Sequence, residues 1–338
     1  MKLIKTTEAV GHVLCHDLTQ IVPGEFKGAR FRKGHIVTKE DIPILLSMGK
    51  EHLYIFELDA GKVHENDAAQ VLCEICKGDN ISCGEVKEGK IELKAAADGC
   101  FTLDTDRLNQ INSIDEIMIA TRKGNTAVHA GDKLAGTRVI PLVIDKDKLI
   151  QATAIMGGKQ LMNVIPYKLR TAAVITTGSE VFHQRIEDAF TPVLIEKLKA
   201  YGITVKEHII IDDDTDGITA AINEVRNGVD IVLCTGGMSV DPDDNTPGAI
   251  KKSGADIVTY GAPVLPGAMI LLGYFDDGTP ILGLPGCVMY AKATIFDLIM
   301  PRIAAGIRLN KADFVAYGEG GLCLGCTDCT YPHCPFGK

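Results

Sequence analysis

The chain has 338 residues and a formal net charge of −9, and 46% of its residues are hydrophobic. This length predicts about two domains, each large enough to bury a core. The negative charge argues against a general nucleic-acid-binding surface. Residues 1–13 lack the apolar segment of a signal peptide, and the longest apolar stretch, residues 261–273, is too short to span a bilayer. We therefore expect a cytoplasmic protein without a membrane segment, whose cysteines are thiols or metal ligands and not a disulfide framework.

Two small modules are predicted in the N-terminal half. Residues 1–60 form the first, and residues 61–166 form a β-rich or α+β second module whose opening helix Asn66 or Asp67 can cap. The expected elements are helices over residues 36–48 and from residue 66, and strands over residues 52–56, 91–93, 117–120 and 137–144. Turn residues separate the strands, which is typical of a small sheet.

From about residue 170, short apolar strands alternate with amphipathic helices. The predicted strands cover residues 172–175, 203–211, 230–234, 256–260, 270–275 and 280–284. The predicted helices carry Ile186, Phe190, Leu194 and Leu198, begin near Thr215, begin at Thr246, and cover residues 288–305. This alternation predicts an α/β domain over residues 167–307, built on a three-layer, mostly parallel sheet.

Glycine follows three of these strands. The loops are Thr177-Gly178-Ser179-Glu180, Gly236-Gly237 and Pro285-Gly286. The carboxyl ends of parallel strands meet at one edge of a sheet, where glycine lets backbone N–H groups approach a ligand. A helix that starts just after such a loop favours an anion. The three loops together predict an anion-binding edge.

Acidic residues follow two other strand ends. Asp212, Asp213 and Asp214 come after the second strand, and Asp243-Asp244 lie in the loop after the third. Converging carboxylates can hold Mg²⁺, which in turn bridges phosphates. The competing interpretation is helix capping, by Asp214 or Thr215 for one helix and by Thr246 for the next. For the whole constellation we favour a metal and phosphate site.

Three segments together are similar to the molybdopterin-binding domain: residues 176–181, 235–246 and 283–286. That domain occurs in molybdopterin adenylyltransferases, in molybdopterin molybdenumtransferases such as the E domain of gephyrin, and in the competence-damage protein family. Looser similarity of residues 9–14 and 33–55 to the N-terminal portion of the molybdenumtransferases favours that enzyme.

The resemblance implies both a ligand and a site. The implied ligand-binding residues are Thr177, Gly178, Ser179, Glu180, Gly236, Gly237, Ser239, Pro266, Gly267, Pro285 and Gly286. Asp213 and Asp244 are the implied catalytic and Mg²⁺-binding acids. The implied ligand is molybdopterin or adenylyl-molybdopterin, and the implied reaction inserts molybdate into the dithiolene as AMP leaves. The family commonly forms dimers or trimers, so we expect a homo-oligomer with no nucleic-acid or membrane partner.

The chain departs from the family pattern at two places. Leu265 and Ala268 stand where lysines usually flank the Pro-Gly segment, and the Asp-Gly-Tyr-Ala motif common near the N-terminus is missing from the sequence. Fewer cations beside an anion site should weaken binding of phosphate or molybdate. Two alternatives to the molybdenumtransferase therefore stay open: a non-catalytic molybdopterin carrier, and a Mg²⁺-dependent nucleotide pyrophosphatase of the competence-damage type.

Cysteines are concentrated in two regions. Cys73 and Cys76 fall within a predicted helix, with Cys83 and Cys100 beyond, and we interpret them as packing residues in preference to metal ligands. The tail, residues 308–338, carries Cys323-x2-Cys326-x2-Cys329-x4-Cys334 followed by proline. This run resembles a ferredoxin spacing with one extra residue, and four thiolates also suit Zn²⁺. We predict that the tail binds zinc or an iron–sulfur cluster and is disordered without it; a redox-active thiol tail or a delivery site for sulfur or metal are the alternatives.

Overall fold

The computed structural model describes residues 2–22, 26–55, 61–239 and 244–338. The chain divides into two compact units. The first comprises Met1–Ala97, Thr102–Gly124 and His129–Val164, and the second comprises Asp98–Phe101, Asn125–Val128 and Ile165–Lys338. Within the described ranges, no helix has both the length and the apolar character needed to cross a bilayer. The finer subdivision into four parts stays a prediction.

The part of the chain before residue 166 is rich in short strands. The strands are β1 (Lys2–Lys5), β2 (Leu18–Val22), β3 (Phe26–Phe31), β4 (His52–Ile55), β5 (Lys62–His64), β6 (Ile81–Cys83), β7 (Lys90–Ala95), β8 (Gly99–Leu103), β9 (Ile117–Thr121), β10 (Thr126–Val128), β11 (Lys133–Val139), β12 (Val143–Asp145) and β13 (Met162–Ile165). The helices are α1 (Asp41–Ser47), α2 (Glu65–Cys76), α3 (Thr105–Asn112) and α4 (Lys146–Met156). In the first unit, β6, β7, β11 and β9 form one antiparallel sheet in that order, and β1–β4, β2–β3 and β5–β12 form antiparallel pairs. The predicted β-rich N-terminal part is confirmed.

Because of side-chain capping, two helices begin at residues other than those predicted. Helix α2 begins earlier than predicted because the His64 ring, not Asn66 or Asp67, caps it, accepting a 3.2 Å hydrogen bond from the Asn66 amide. Helix α1 begins only at Asp41, whose carboxylate accepts a 2.8 Å hydrogen bond from the Thr38 amide. The strand predicted over residues 52–56 ends at Ile55, and Phe56 lies outside the described residues.

One pair of cysteines contradicts the prediction that the cysteines are thiols or metal ligands and form no disulfides. Cys73 in α2 and Cys83 in β6 are joined as a disulfide, with their Cα atoms 6.7 Å apart. Cys76 and Cys100 are buried thiols, and burial raises the pKa of each to about 12. A thiol so difficult to ionise is a poor metal ligand, since the thiolate is the binding form. The packing interpretation therefore holds for these two residues.

The second unit is built on a six-stranded sheet. Its strands are β14 (Thr171–Thr177), β15 (Thr204–Ile211), β16 (Ile231–Thr235), β17 (Asp256–Tyr260), β18 (Leu271–Tyr274) and β19 (Pro280–Leu284). The order across the sheet is β15-β14-β16-β19-β18-β17. The first four strands run parallel, and β18 is antiparallel to both of its neighbours. The predicted mostly parallel sheet is confirmed.

Helices cover both faces of this sheet, giving three layers. The helices are α5 (Ser179–Phe182), α6 (Phe190–Lys199), α7 (Thr215–Val225), α8 (Thr246–Lys252), α9 (Ile295–Ala304) and α10 (Lys311–Val315). One apolar core joins the sheet to α6 and α9, through residues such as Leu194 and Phe296. A second core joins the opposite face to α7 and α8, through Ile222 and Ile250.

Two predicted helices are shorter than expected, and a polar cap sets the start of one of them. The helix predicted over residues 288–305 is divided into a 3₁₀ turn, Gly286–Met289, and α9, which starts after Thr294. Thr294 and Asp297 form a reciprocal capping box, in which the Asp297 carboxylate accepts a 2.8 Å hydrogen bond from the Thr294 amide. Helix α6 starts only at Phe190, and Ile186, predicted on its apolar face, is 58% exposed.

The cysteine-rich tail is packed against the second unit. Phe336 is buried with the core that surrounds α9, and the Tyr331 hydroxyl donates a 3.1 Å hydrogen bond to the Asp297 carbonyl. The Leu265 amide donates to the Gly321 carbonyl at 2.8 Å. The prediction of a tail that is disordered without a metal assumed that the tail needs a core of its own, whereas Phe336 shares the core of the domain. Disorder of the tail in the absence of a metal stays a prediction.

Replacing Phe336 with alanine should therefore release the tail. A buried Phe→Ala change costs about 3–5 kcal/mol in a well-packed core, and the tail can separate locally instead of unfolding the sheet. Limited chymotrypsin digestion should then cleave after Leu322, whose backbone pairs with Leu265 in the parent protein, far faster than in the parent. Leu324→Ala is the matched control, because Leu324 is 70% exposed. Equal cleavage of the two variants would show that Phe336 does not hold the tail.

Candidate functional site

Topology brings the predicted loops to one edge of the six-stranded sheet. The carboxyl ends of β14, β15, β16 and β19 lie there because these strands are parallel neighbours. Strand β18 runs the other way, and its first residue, Leu271, pairs with Gly283 near the end of β19. The loop that contains Pro266 and Gly267 therefore reaches the same edge.

The first loop contacts the acids after β15. Gly178 has a φ of +136°, a conformation that favours glycine. The Ser179 amide donates a 3.2 Å hydrogen bond to Asp213 Oδ2, and the Ser179 hydroxyl donates to Asp212. Glu180 is exposed. The Ser179 amide, predicted to contact the ligand directly, thus holds an acid in place.

Gly236 and Gly237 approach this cluster so closely that no side chain fits. Their φ values are +85° and +51°. A Cβ atom on Gly236 would overlap the Thr177 carbonyl, and a Cβ on Gly237 would lie 2.9 Å from Thr246 Oγ1 and 3.2 Å from Asp213 Oδ1. The structure therefore brings together the predicted residues Thr177, Asp213, Gly236 and Gly237.

Two polar side chains beside this cluster, those of Asn245 and Thr246, had been assigned no ligand contact from the sequence. The Thr177 and Thr246 hydroxyls are 3.1 Å apart, and both residues are buried. The Asn245 side-chain amide donates a 3.0 Å hydrogen bond to the Asp213 carbonyl. Thr246 had been predicted only as a helix cap, but it is the first residue of α8 and its hydroxyl points into the site. The capping interpretation is confirmed for Asp214, which accepts a 2.7 Å hydrogen bond from the Gly217 amide.

Asp213 and Asp244 are two acids at this edge that each have a buried carboxylate oxygen. Burial raises the pKa of the Asp213 carboxyl, the negative charges of Asp212 and Asp244 raise it further, and the Ser179 amide opposes the rise. Asp213 Oδ1 and Asp244 Oδ2 are buried, and neither has a hydrogen-bond partner among the described residues. Asp243 lies outside those residues. Buried carboxylate oxygens without donors are unfavourable unless a cation or a proton compensates them.

This arrangement fits a Mg²⁺ ion shared with a ligand. Mg²⁺ prefers oxygen ligands, keeps several waters, and is commonly bound by one or two carboxylates together with substrate phosphates. In the described ranges, no three His, Cys, Asp or Glu side chains are grouped so that they could hold a metal by themselves. Two carboxylates are therefore what the chain offers, and a phosphate would complete the coordination.

The raised pKa of Asp213 predicts a pH dependence of metal binding. Because the folded-state pKa lies above that of an ordinary aspartate, about 3.9, the carboxylate is lost at a higher pH on acidification than an exposed one. Mg²⁺ affinity, measured by titration calorimetry between about pH 4 and 7, should fall as Asp213 takes up its proton. In Asp213→Asn the remaining weak affinity should no longer show the fall that proton uptake by Asp213 causes. An unshifted profile in the parent protein would contradict this assignment.

The remaining predicted ligand residues surround a neighbouring part of the edge. Gly267 has a φ of +124°, and a Cβ there would lie 2.5 Å from Ile295 Cγ2. Pro285 and Gly286 begin the 3₁₀ turn after β19, and nothing lies within 4 Å of a Cβ placed on Gly286. Ser239 is exposed, and its carbonyl lies 3.5 Å from the Tyr260 hydroxyl. Among the described residues, none of these is hydrogen-bonded to Asp213 or Asp244.

Comparison with known proteins gives two matching families. Residues 173–305 match a family described as the probable molybdopterin binding domain, and residues 3–57 match a domain of unknown function. A CinA-like protein of Desulfosudis oleivorans is 35% identical over 82 residues, which is 24% of this chain and 20% of that protein. A molybdopterin molybdenumtransferase of Bacillus subtilis is 30% identical over 136 residues, which is 39% of this chain and 27% of that protein.

A solved structure, the molybdopterin biosynthesis MoeA protein of Pyrococcus horikosii, aligns with 72% of this chain and 79% of its own, at 15% identity and a TM-score of 0.33. The sequence matches are partial: they cover 20% and 27% of the length of the two curated relatives.

Proposed function

Residues 173–305 belong to the family of probable molybdopterin-binding domains, and from this we propose that the protein acts in molybdenum cofactor assembly. It binds adenylyl-molybdopterin with Mg²⁺ at the acid-lined edge of the sheet, and molybdate enters the dithiolene as AMP leaves. The observation that carries this proposal is the pair of buried carboxylate oxygens, Asp213 Oδ1 and Asp244 Oδ2, beside the Gly236-Gly237 loop.

The residues of this edge have separate roles in the proposal. Asp213 and Asp244 hold the metal, and Ser179 and Asn245 position Asp213 through hydrogen bonds to its side chain and its carbonyl. Gly236 and Gly237 let their loop pack directly against Thr177 and Asp213, since a Cβ atom at either position would clash there. The loop backbone is thereby held beside the acids. When bound, Mg²⁺ would neutralise charge on the pyrophosphate oxygens. The fixed acids would then keep the phosphates in one orientation.

A carrier without turnover is the first alternative, and the replaced lysines favour it. Leu265 is 57% exposed beside Pro266, and Ala268 follows Gly267, so the Pro-Gly segment presents no cation of its own. Molybdate is an anion, and a site with fewer cations binds it less strongly. In this alternative the edge holds the pterin and its pyrophosphate but does not exchange AMP for molybdate.

Nucleotide pyrophosphate hydrolysis is the second alternative, and the 35% identity to a CinA-like protein favours it. The same pair of acids and the same glycine loop would serve a simple dinucleotide, because the metal contacts phosphate and not the pterin. The residues of the edge do not by themselves separate these reactions.

One assay separates the three functions. The protein is incubated with Mg²⁺, molybdate and adenylyl-molybdopterin, and AMP and molybdenum cofactor are followed together; parallel tubes contain ADP-ribose or NAD in place of the pterin. We expect AMP release coupled to cofactor formation, and none from the simple nucleotides. Binding without AMP release would establish the carrier, and AMP from the simple nucleotides would establish the pyrophosphatase. Asp213→Asn is the inactive reference.

A further inference from the structure

The four cysteines of the tail surround one cavity in the second unit. The cavity has a volume of about 280 Å³, and Cys323, Cys326, Cys329 and Cys334 all line it. Its other walls include Pro266, Ala293, Tyr331 and Phe336. Organic ligand sites typically measure about 300–1,000 Å³, so this space is small for a pterin or a nucleotide. A cavity of this volume suits a group more compact than these organic ligands.

Hydrogen bonds fix both ends of the segment that carries the cysteines. Leu322 forms a parallel bridge with Leu265, and the Cys323 amide donates a 2.8 Å hydrogen bond to the Leu265 carbonyl. At the other end, the Gly337 amide donates a 2.9 Å hydrogen bond to the Gly320 carbonyl, which closes the segment into a loop. The thiols therefore face a cavity whose walls are held by the domain.

Two kinds of metal site take four cysteine thiolates. Tetrahedral zinc has Zn–S distances of about 2.3 Å, which place its four sulfurs about 3.8 Å from one another. In the part of the chain that the structure describes, no three His, Cys, Asp or Glu side chains are drawn together around one ion, and the four thiols instead line the walls of a cavity of about 280 Å³. In an iron–sulfur cluster each cysteine binds a different iron, so the thiolates stand further apart around a space filled by iron and sulfide.

Sequence and charge favour a cluster. Cys323, Cys326 and Cys329 have the C-x2-C-x2-C spacing that supplies three ligands to one cluster in ferredoxins. Cys334 lines the same cavity and can supply the fourth. A cluster bound by four thiolates carries net negative charge. Lys292 lines the cavity and supplies a compensating cation.

We propose that this cavity binds a [4Fe–4S] cluster through Cys323, Cys326, Cys329 and Cys334. The inference does not depend on the proposed function, because it rests on residues of the tail and not on the acids of the sheet edge. The cluster would fill the cavity and bind the tail at four points. It would thereby fix the segment whose Cys323 amide is hydrogen-bonded to the Leu265 carbonyl.

The test is anaerobic purification of the full chain, followed by iron and acid-labile sulfide analysis and an electron paramagnetic resonance spectrum after reduction. We expect roughly four iron atoms and four sulfides per chain, with visible absorbance that bleaches on reduction. Cys326→Ser and Cys329→Ser should each lose most of this iron. Cys287→Ser is the matched control, because Cys287 is a partly buried free thiol that does not line the cavity.

Two results would overturn the assignment. One is a colourless protein with a single zinc that Cys326→Ser removes. The other is protein that stays free of iron after anaerobic incubation with Fe²⁺ and sulfide. Circular dichroism of each variant shows that the sheet domain is intact, so that loss of iron is not a consequence of unfolding. Full iron retention in both tail variants would equally exclude the four-cysteine site.

Discussion

Replacing Asp244 with asparagine is expected to lower Mg²⁺-dependent binding of adenylyl-molybdopterin by about 100-fold or more, because even second-shell changes at metal sites cost 10–100-fold. The change keeps the shape of the side chain and removes its charge. Asp244 Oδ2 is buried without a described hydrogen-bond partner, and its charge contributes to the raised pKa of Asp213. Removing that charge relieves repulsion in the ligand-free protein. Its free energy of unfolding should therefore stay within about 0.5 kcal/mol of the parent or rise slightly.

Calorimetric titration with and without Mg²⁺ measures the first effect, and denaturant unfolding measures the second. Asp276→Asn is the matched control, since Asp276 is an exposed acid in the turn between β18 and β19. It should change neither quantity. A loss of several kcal/mol in ligand-free Asp244→Asn would mean that this acid serves folding, and the metal assignment would then fail.

Replacing Gly236 with alanine is expected to destabilise the protein by several kcal/mol and to disrupt the site. At a φ of +85° the alanine backbone is strained by about 1–2 kcal/mol. The added Cβ would also overlap the Thr177 carbonyl at the end of β14. Backbone atoms of a central strand cannot move aside cheaply, because β14 is paired on both sides.

Gly278→Ala separates strain from overlap. Gly278 has a similar φ of +89°, but nothing lies within 4 Å of a Cβ placed there. It should lose only the strain energy, about 1–2 kcal/mol, and keep full ligand binding. If denaturant unfolding gives the two variants the same stability, the close approach of Gly236 to Thr177 contributes nothing.

The inner strands of the sheet could be predicted from sequence because they are buried on both faces. Strand β14, with six consecutive buried residues after Thr171, reads as an uninterrupted apolar run that ends at a glycine. The helix boundaries were harder to predict, because capping depends on side-chain hydrogen bonds, which the periodicity of apolar residues does not indicate. The His64 cap of α2 and the capping box of Thr294 and Asp297 are both of this kind.

The site was predictable in part for the same reason. Glycines at strand ends and acids between them are local patterns, so Asp213, Gly236 and Gly237 could be named and the structure places them together. The contact between Thr177 and Thr246 joins residues 69 positions apart, and no local pattern indicates it. The one signal in the sequence for this contact was Thr177, the second of two threonines before Gly178, which places a hydroxyl group where the strand ends.

The bridge between Leu265 and Leu322 has a thermodynamic consequence. The Leu265 backbone pairs with the tail on one side and leads directly into Pro266 and Gly267 on the other. A group that fixes the tail therefore also restricts this loop, and a ligand that fixes the loop restricts the tail. Linkage is reciprocal. The factor by which a group bound to the tail raises the affinity of the loop for its ligand is therefore the factor by which that ligand raises the affinity of the tail for the group. Occupancy at the sheet edge would then be measurable as slower release of metal from the tail.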